Sequence, residues 1–409
     1  FRDAKVDGLF VPHCNFGTEY EVCRLAKKLN VPVLLWGPRD ECPDENGMRL
    51  RDSQCGLFAT GKVLRRFGIP FTYLKNCNLE DECFAEGIDR FLRVCNVVKA
   101  FRNTRVLQIS TRPFDFWSTM CNEGELLEKF GIQLSPIPMP ELTQAMKDVK
   151  ENSPEEIKEV TDYCREKMCI KVTPEQLDNV AALKIAMTRL GKKYGCNCGA
   201  IQCWNALQDE IGIMPCAANA LCNDEGFPIA CETDIHGTIT SVLVEAAAMG
   251  ETRSFFADWT VRHPYNDNAE LLQHCGPWPI SIAKEKPTID TPVAFDCSGS
   301  LMAQAKDGEH ISLVRFDGDN GEYSLLLGNA KTVDGPYTKG TYMWVEVENL
   351  DRLEDKLVQG PYIHHCVGVH QDVVPVLYEA CKYIGVTPDL YDPIEEKVKA
   401  IIRGEKVEK

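Results

Sequence analysis

The sequence predicts an α/β protein: two doubly wound parallel-sheet domains, then a C-terminal domain rich in antiparallel strands. Three observations carry that reading. Short apolar runs alternate with amphipathic helical stretches from the first residues onward. The alternation starts afresh at Thr104, behind a long helix. Past residue 248, short strands follow one another across turn residues such as Asp317-Gly318-Asp319-Asn320-Gly321. The domains are therefore placed at 1–103, 104–248 and 249–409.

In the first domain, Val6–Pro12 reads as a strand. Thr18–Leu29 reads as a helix that turns Val22, Leu25, Ala26 and Leu29 inward. Val31–Trp36 is a second strand. Cys55–Phe67 is a helix with Asp52 or Ser53 as N-cap. Phe71–Leu74 is a short strand and Glu80–Phe101 a long helix. In the second domain, Arg105–Ile109 is a strand and Cys121–Phe130 a helix. Ile132–Ile137 then runs into the prolines Pro136, Pro138 and Pro140. Helices start at Pro154, behind Ser153, and at Pro174, behind Thr173, the latter stopped by Gly195. Ala200–Asp209 is apolar and aromatic. The third domain holds the strands Ala294–Phe295, Ile311–Phe316, Tyr323–Gly328 and Tyr342–Val347, then a helix at Val373–Ile384 and a charged helix at Ile394–Lys409.

Composition narrows the function. A net charge of −16 over 409 residues argues against a nucleic-acid surface, which needs clustered Lys and Arg. No apolar run reaches the length of about 18 residues that a membrane span takes. The 20 cysteines are scattered, without a Cys-x-x-Cys pair, so zinc-ribbon and iron–sulfur readings fail. Many sit in apolar elements as small hydrophobes do, which places the protein in a reducing cytoplasm. The chain opens at Phe1 rather than Met, immediately before a strand, and an N-terminal piece is expected to be missing.

The stretch Pro228–Ala257 stands out. Glu232 and Asp234 follow one apolar strand. Gly237 loosens the turn into a helix with Ile239, Val242, Leu243 and Ala246 at helical spacing, and a second apolar strand delivers Asp258. An α/β crossover would set Glu232 and Asp258 near the same end of neighbouring strands, where such folds bind ligands. Two carboxylates there suit a hard metal or proton transfer. Asp234 would point the same way as Glu232 if the strand continued, behind the ligands. Seven of the eight histidines lie at or after His236, and His274 and His365 stand where the chain turns. Each residue alone has a bland reading: a Glu after a strand is more often a helix N-terminal charge, and in a His-His pair only one ring easily ligates.

Taken in order, Pro228-Ile-Ala-Cys-Glu-Thr-Asp-Ile-His-Gly, Phe255-Phe-Ala-Asp-Trp, Gln273-His-Cys-Gly and His364-His365 before an apolar helix resemble the L-fucose isomerase family, with L-arabinose isomerase as a more distant relative. Ala200-Ile-Gln-Cys-Trp and Gly212-Ile-Met-Pro-Cys-Ala-Ala are similar too. The resemblance implies a metal-dependent aldose–ketose isomerase acting on an open-chain sugar through an enediol. It implies Mn²⁺, or another divalent metal, on Glu232, Asp258 and His365, with His274 as a ligand in the arabinose branch. Glu232 and Asp258 would be catalytic. Gln202, Trp204, Trp259 and Tyr362 are candidate sugar contacts. The family habit further implies a cytoplasmic homo-oligomer, a trimer or hexamer, with no nucleic-acid or membrane partner. The chain is shorter than the familiar fucose enzymes, which leaves the sugar open. Sulfoquinovose is one option, for which Arg253 and Arg262 flank Asp258. A non-catalytic sugar-binding or regulatory protein of the same fold is the main alternative, and a metal-dependent hydrolase or aldolase the third.

Overall fold

The computed structural model describes residues 1, 3–292 and 296–407, so the strand expected at Ala294–Phe295 lies outside the described residues. Contacts divide the chain into two compact units: Phe1–Ala100 with Val373–Thr387 and Pro393–Lys409, and Phe101–Asp372 with Pro388–Asp392. Among the described residues no helix is long and apolar enough to cross a membrane.

The first unit is built on a parallel sheet of β1 (Leu9–Pro12), β2 (Val33–Trp36) and β3 (Thr72–Tyr73), in that order. All four side chains of β2 are buried, as in a central parallel strand covered on both faces. The helices are Glu19–Leu29, Ser53–Arg66 and Glu82–Arg102. Asp52 does precede the second helix, but it takes a left-handed backbone and its side chain makes no cap. The Ser53 N–H is instead taken by Asp40 Oδ1 at 3.1 Å. The C-terminal helices Val374–Ile384 and Glu395–Arg403 belong to this unit. Tyr383 donates its hydroxyl to Val33 O (3.1 Å), and Thr72 Oγ1 donates to Glu379 Oε1 (2.6 Å).

The second unit holds two sheets. The smaller contains β4 (Arg105–Ile109) and β5 (Gln133–Ile137). After β6 (Cys169–Ile170), which pairs elsewhere, β7 (Cys198–Ile201) and β8 (Ile229–Ala230) complete it in the parallel order β5-β4-β7-β8. Its helices depart from expectation in three places. Residues 121–130 form one α-turn, Glu123–Glu125, running into a wide turn, Leu126–Phe130, that Gly131 ends at φ 75°. The Pro-rich stretch opens a helix, Met139–Asn152, because a first-turn proline lacks only an N–H that has no helical partner there. Ser153 makes no cap bond; its hydroxyl accepts from Arg189 at 2.9 Å. Thr173 does cap, in a reciprocal box with Gln176.

The larger sheet contains β9 (Phe255–Arg262), β10 (Ala269–His274), β11 (Thr288–Asp290), β12 (Ser300–Gln304), β13 (Ile311–Asp319), β14 (Glu322–Val333), β15 (Thr341–Glu346), β16 (His365–Val369) and β17 (Thr387–Asp392). The order is β17-β14-β13-β16-β9-β10-β15-β12-β11-β6. Past β13, β14 also pairs with β15 through Lys331–Val333. That closes a ring of six antiparallel strands, β14-β13-β16-β9-β10-β15.

The crossover expected between Glu232 and Asp258 does not form. β8, which leads to Glu232, lies in the smaller sheet, whereas β9 runs antiparallel to β10 and β16. The cause is in the strand itself. Phe255, Phe256 and Ala257 are buried on both faces, but Asp258 is only partly buried and Thr260–Arg262 are exposed, which suits a strand that loses its cover on one side along its length.

Gly368 sits in β16 opposite Phe255, and a Cβ there would lie 2.1 Å from the Phe255 ring. Gly368→Ala is expected to cost about 1–3 kcal/mol by overpacking, read as a lower urea midpoint. An unchanged midpoint would mean that the ring has room to yield.

Candidate active site

Between β8 and the helix Ile235–Ala247, Glu232 and Thr233 both take left-handed backbone, at φ 51° and 53°. Such a conformation costs a residue with a side chain about 1–3 kcal/mol. Surrounding bonds hold it: Thr233 N–H to Ile201 O at 3.0 Å, Asp234 N–H to Cys231 O at 3.0 Å and the Thr233 hydroxyl to Thr111 O at 3.1 Å. One carboxylate oxygen of Glu232 is fixed as well. Oε1 accepts from Cys203 Sγ and Trp204 Nε1, each at 3.2 Å.

Asp258 lies mid-strand in β9, directly opposite His365, the first residue of β16. His274 ends β10. The free ends of the four side chains converge. His274 Nε2 is 3.4 Å from Glu232 Oε2 and 3.9 Å from Asp258 Oδ1. His365 Nε2 is 3.9 Å and 3.5 Å from the same two oxygens. Glu232 Oε2 and Asp258 Oδ1 are buried and accept no hydrogen bond from the described residues. Three of the side chains are at most 4% exposed, whereas Asp258 is 28% exposed and marks the open side. Burial would raise the Glu232 carboxyl, but His274 and His365 outweigh it and hold the group below its ordinary value. Burial likewise opposes charge on His274, yet Asp258 and Glu232 pull it well above its usual range.

Behind these groups lies a buried ionic chain. Asp234 Oδ2 holds His365 Nδ1 at 2.8 Å, which leaves Nε2 to face the carboxylates. Asp234 also caps the helix through Gly237 N–H (2.9 Å) and pairs with both terminal nitrogens of Arg315. Arg315 Nε donates to Asp317 Oδ2 at 2.9 Å, and Asp317 Oδ1 lies 2.9 Å from His236 Nδ1. Burial alone would raise Asp234; Arg315 and His365 together drive it far below the carboxylate range. Gly237 is glycine for want of space, since a Cβ would meet the Phe256 ring at 2.5 Å and Asp234 Oδ2 at 2.7 Å.

Glu232, Asp258, His274 and His365 are thus brought together, and Asp234 stands behind them as a helix cap rather than as a continuation of the strand. Trp204 reaches the group through Glu232. Gln202 Oε1 accepts from the Ser110 hydroxyl at 2.8 Å. Trp259 projects to the opposite face of β9 from Asp258, into the apolar cluster, as strand alternation requires. Tyr362 packs in the same cluster; its hydroxyl donates to Asp389 Oδ2 at 3.0 Å and lies 2.8 Å from Ser324 Oγ. Arg253 is engaged by Asp224 O and Glu245, and Arg262 by Asp351 and Glu354, so neither faces the four donors. Three further residues escaped the sequence reading. Arg315 had a signal, a charge inside the apolar run Ile311–Phe316. Cys203 had none. His364, the other half of the pair, lies exposed with its ring 4.2 Å from that of His365.

The donor set fits a hard or borderline divalent cation. Donors at roughly 2.0–2.3 Å from one centre stand roughly 3–3.7 Å apart, close to the separations seen here. The two orphaned carboxylate oxygens are the atoms that such a cation would satisfy.

Residues 1–102 match the model of the fucose/sulfoquinovose isomerase N-terminal domain. The chain is 24% identical over 394 residues to a protein named sulfoquinovose isomerase from Priestia aryabhattai, an alignment covering 95% of this chain and 86% of the relative. It is 24% identical over 357 residues to a protein of the same name from Alkalicoccus urumqiensis, covering 86% and 79%.

Removing Arg315 tests the ionic chain. Arg315→Met leaves the buried Asp234 only the Gly237 N–H and His365, takes the guanidinium from Asp317 as well, and is expected to cost about 3–5 kcal/mol of unfolding free energy. A loss below about 1 kcal/mol in urea titration would show that Asp234 does not depend on that partner.

Proposed function

This chain belongs to the fucose isomerase-like family, and on that premise we propose that it is a metal-dependent aldose–ketose isomerase acting on an open-chain sugar. The observation that carries the reading is the convergence of Glu232, Asp258, His274 and His365, with two buried carboxylate oxygens left without a partner. Glu232, Asp258 and His365 would hold the cation, Mn²⁺ by family habit. His274 Nδ1 accepts the Cys275 N–H at 2.9 Å, which leaves its ring proton on Nε2, facing the carboxylates. When bound, the cation polarises the sugar carbonyl and offsets the negative charge that develops on its oxygens.

The chain's own groups do the rest. Glu232 is dry and clamped at Oε1, which suits transfer of a proton between C2 and C1, because water there would carry the proton away. Asp258, on the open side, suits the proton that moves between the two sugar oxygens. Asp234 keeps His365 turned toward the cation, and Cys203 with Trp204 keeps Glu232 turned toward the sugar. The relatives' names point to sulfoquinovose as the sugar. A sulfonate calls for Arg or Lys, and Arg253 and Arg262 do not supply one. The reading further includes a cytoplasmic trimer or hexamer.

The assay offers a panel of aldoses, sulfoquinovose included, to Mn²⁺-loaded protein and reads ketose formation. Glu232→Gln should lower kcat/KM by roughly a hundred- to ten-thousand-fold with an unchanged urea midpoint, and chelation followed by Mn²⁺ should abolish and restore turnover. Wild-type-like turnover by Glu232→Gln would sink the reading. Sugar affinity without metal dependence would favour a non-catalytic binding protein.

A further inference from the structure

We propose that His364 is a substrate-contacting residue, whose imidazole meets a hydroxyl of the open-chain sugar at the mouth of the site. The proposal rests on the isomerase reading above.

Position is the first argument. The His364 carbonyl accepts the Trp259 N–H at 2.9 Å, which anchors this residue to β9 beside Asp258. A ring nitrogen of His364, a carboxylate oxygen of Asp258 and a ring nitrogen of His365 lie within 4.8 Å of one another. Access is the second. His274 and His365 are sealed at 3% and 1% exposure, whereas Asp258 is 28% exposed and His364 is exposed. Asp258 and His364 are thus the members of the group that solvent reaches.

Bonding is the third argument. No hydrogen bond engages the His364 ring among the described residues, whereas His365 has Nδ1 tied to Asp234 at 2.8 Å. A histidine that ligates a metal almost always has its other nitrogen held in that way, and His364 lacks such a partner. It is therefore assigned to the sugar and not to the cation. Chemistry is the fourth. A neutral imidazole offers one donor and one acceptor, the complement of a hydroxyl, while the neighbouring carboxylate only accepts.

The test uses full-length His364→Ala, His364→Gln and, for comparison, His365→Ala. Calorimetry measures Mn²⁺ affinity, then the affinity of the Mn²⁺-loaded protein for a set of five- and six-carbon alditols. Steady-state kinetics follow on whichever aldose is turned over. His364→Ala should bind Mn²⁺ within about twofold of wild type, while alditol affinity falls and KM rises by about tenfold, the loss of one hydrogen bond. His364→Gln should recover part of that loss. Alditol affinity unchanged in His364→Ala would overturn the assignment. Mn²⁺ affinity lost to the same extent as in His365→Ala would overturn it too, by making His364 a ligand. If wild-type protein binds Mn²⁺ but neither alditols nor aldoses, the isomerase reading falls and this assignment falls with it.

Discussion

The Asp234 carboxylate is the constraint on which the second unit turns. It accepts from a helix N-terminus, from a histidine ring and from a buried guanidinium at once. Each donor comes from a different element: the helix Ile235–Ala247, β16 and β13. The N-terminal end of a helix favours negative charge, so the charge is stabilised before Arg315 adds to it. The helix in turn joins the two sheets. Its Thr238 hydroxyl donates to Gly199 O in β7 at 2.6 Å, and its Thr240 hydroxyl accepts the Phe316 N–H of β13 at 3.0 Å. The strained turn carrying Glu232 is thereby pinned between two frameworks, which is how two left-handed non-glycine residues persist side by side.

Much of this was legible in the sequence, and the reason is chemical. Glu232, Asp258, His274 and His365 are polar residues at the ends of apolar runs, and their order along the chain is distinctive even where each alone is ambiguous. The partner sheet of β9 was not legible. Phe255 to Ala257 is apolar and buried throughout, and the exposed residues that mark the strand's open side come only beyond Asp258. Trp259 was read by residue type as a sugar contact, yet the period of two along a strand already turns it away from its neighbour. The helix Met139–Asn152 was hidden by prolines that break a helix interior but are tolerated in its first turn. The role of Cys203 was hidden even inside its motif, since a thiol that steadies a carboxylate looks in sequence like any small buried hydrophobe.

The two carboxylates differ in their surroundings rather than in their kind. Glu232 is buried, with Oε1 held by two donors; Asp258 is partly exposed, with the His274 and His365 rings near its buried oxygen. That contrast lets a pair of similar acids take separate parts in one reaction.

The first unit carries a consequence for biosynthesis. Its three-stranded sheet is complete by Tyr73, but Tyr383 and Glu379, which bond to Val33 and Thr72, are made long afterwards. At about 5–20 residues per second, a ribosome needs tens of seconds to supply them. During that interval the nascent N-terminal hundred residues lack part of their own packing, which makes them a natural client for chaperones. Stopping translation before residue 373 would leave them in that unfinished condition.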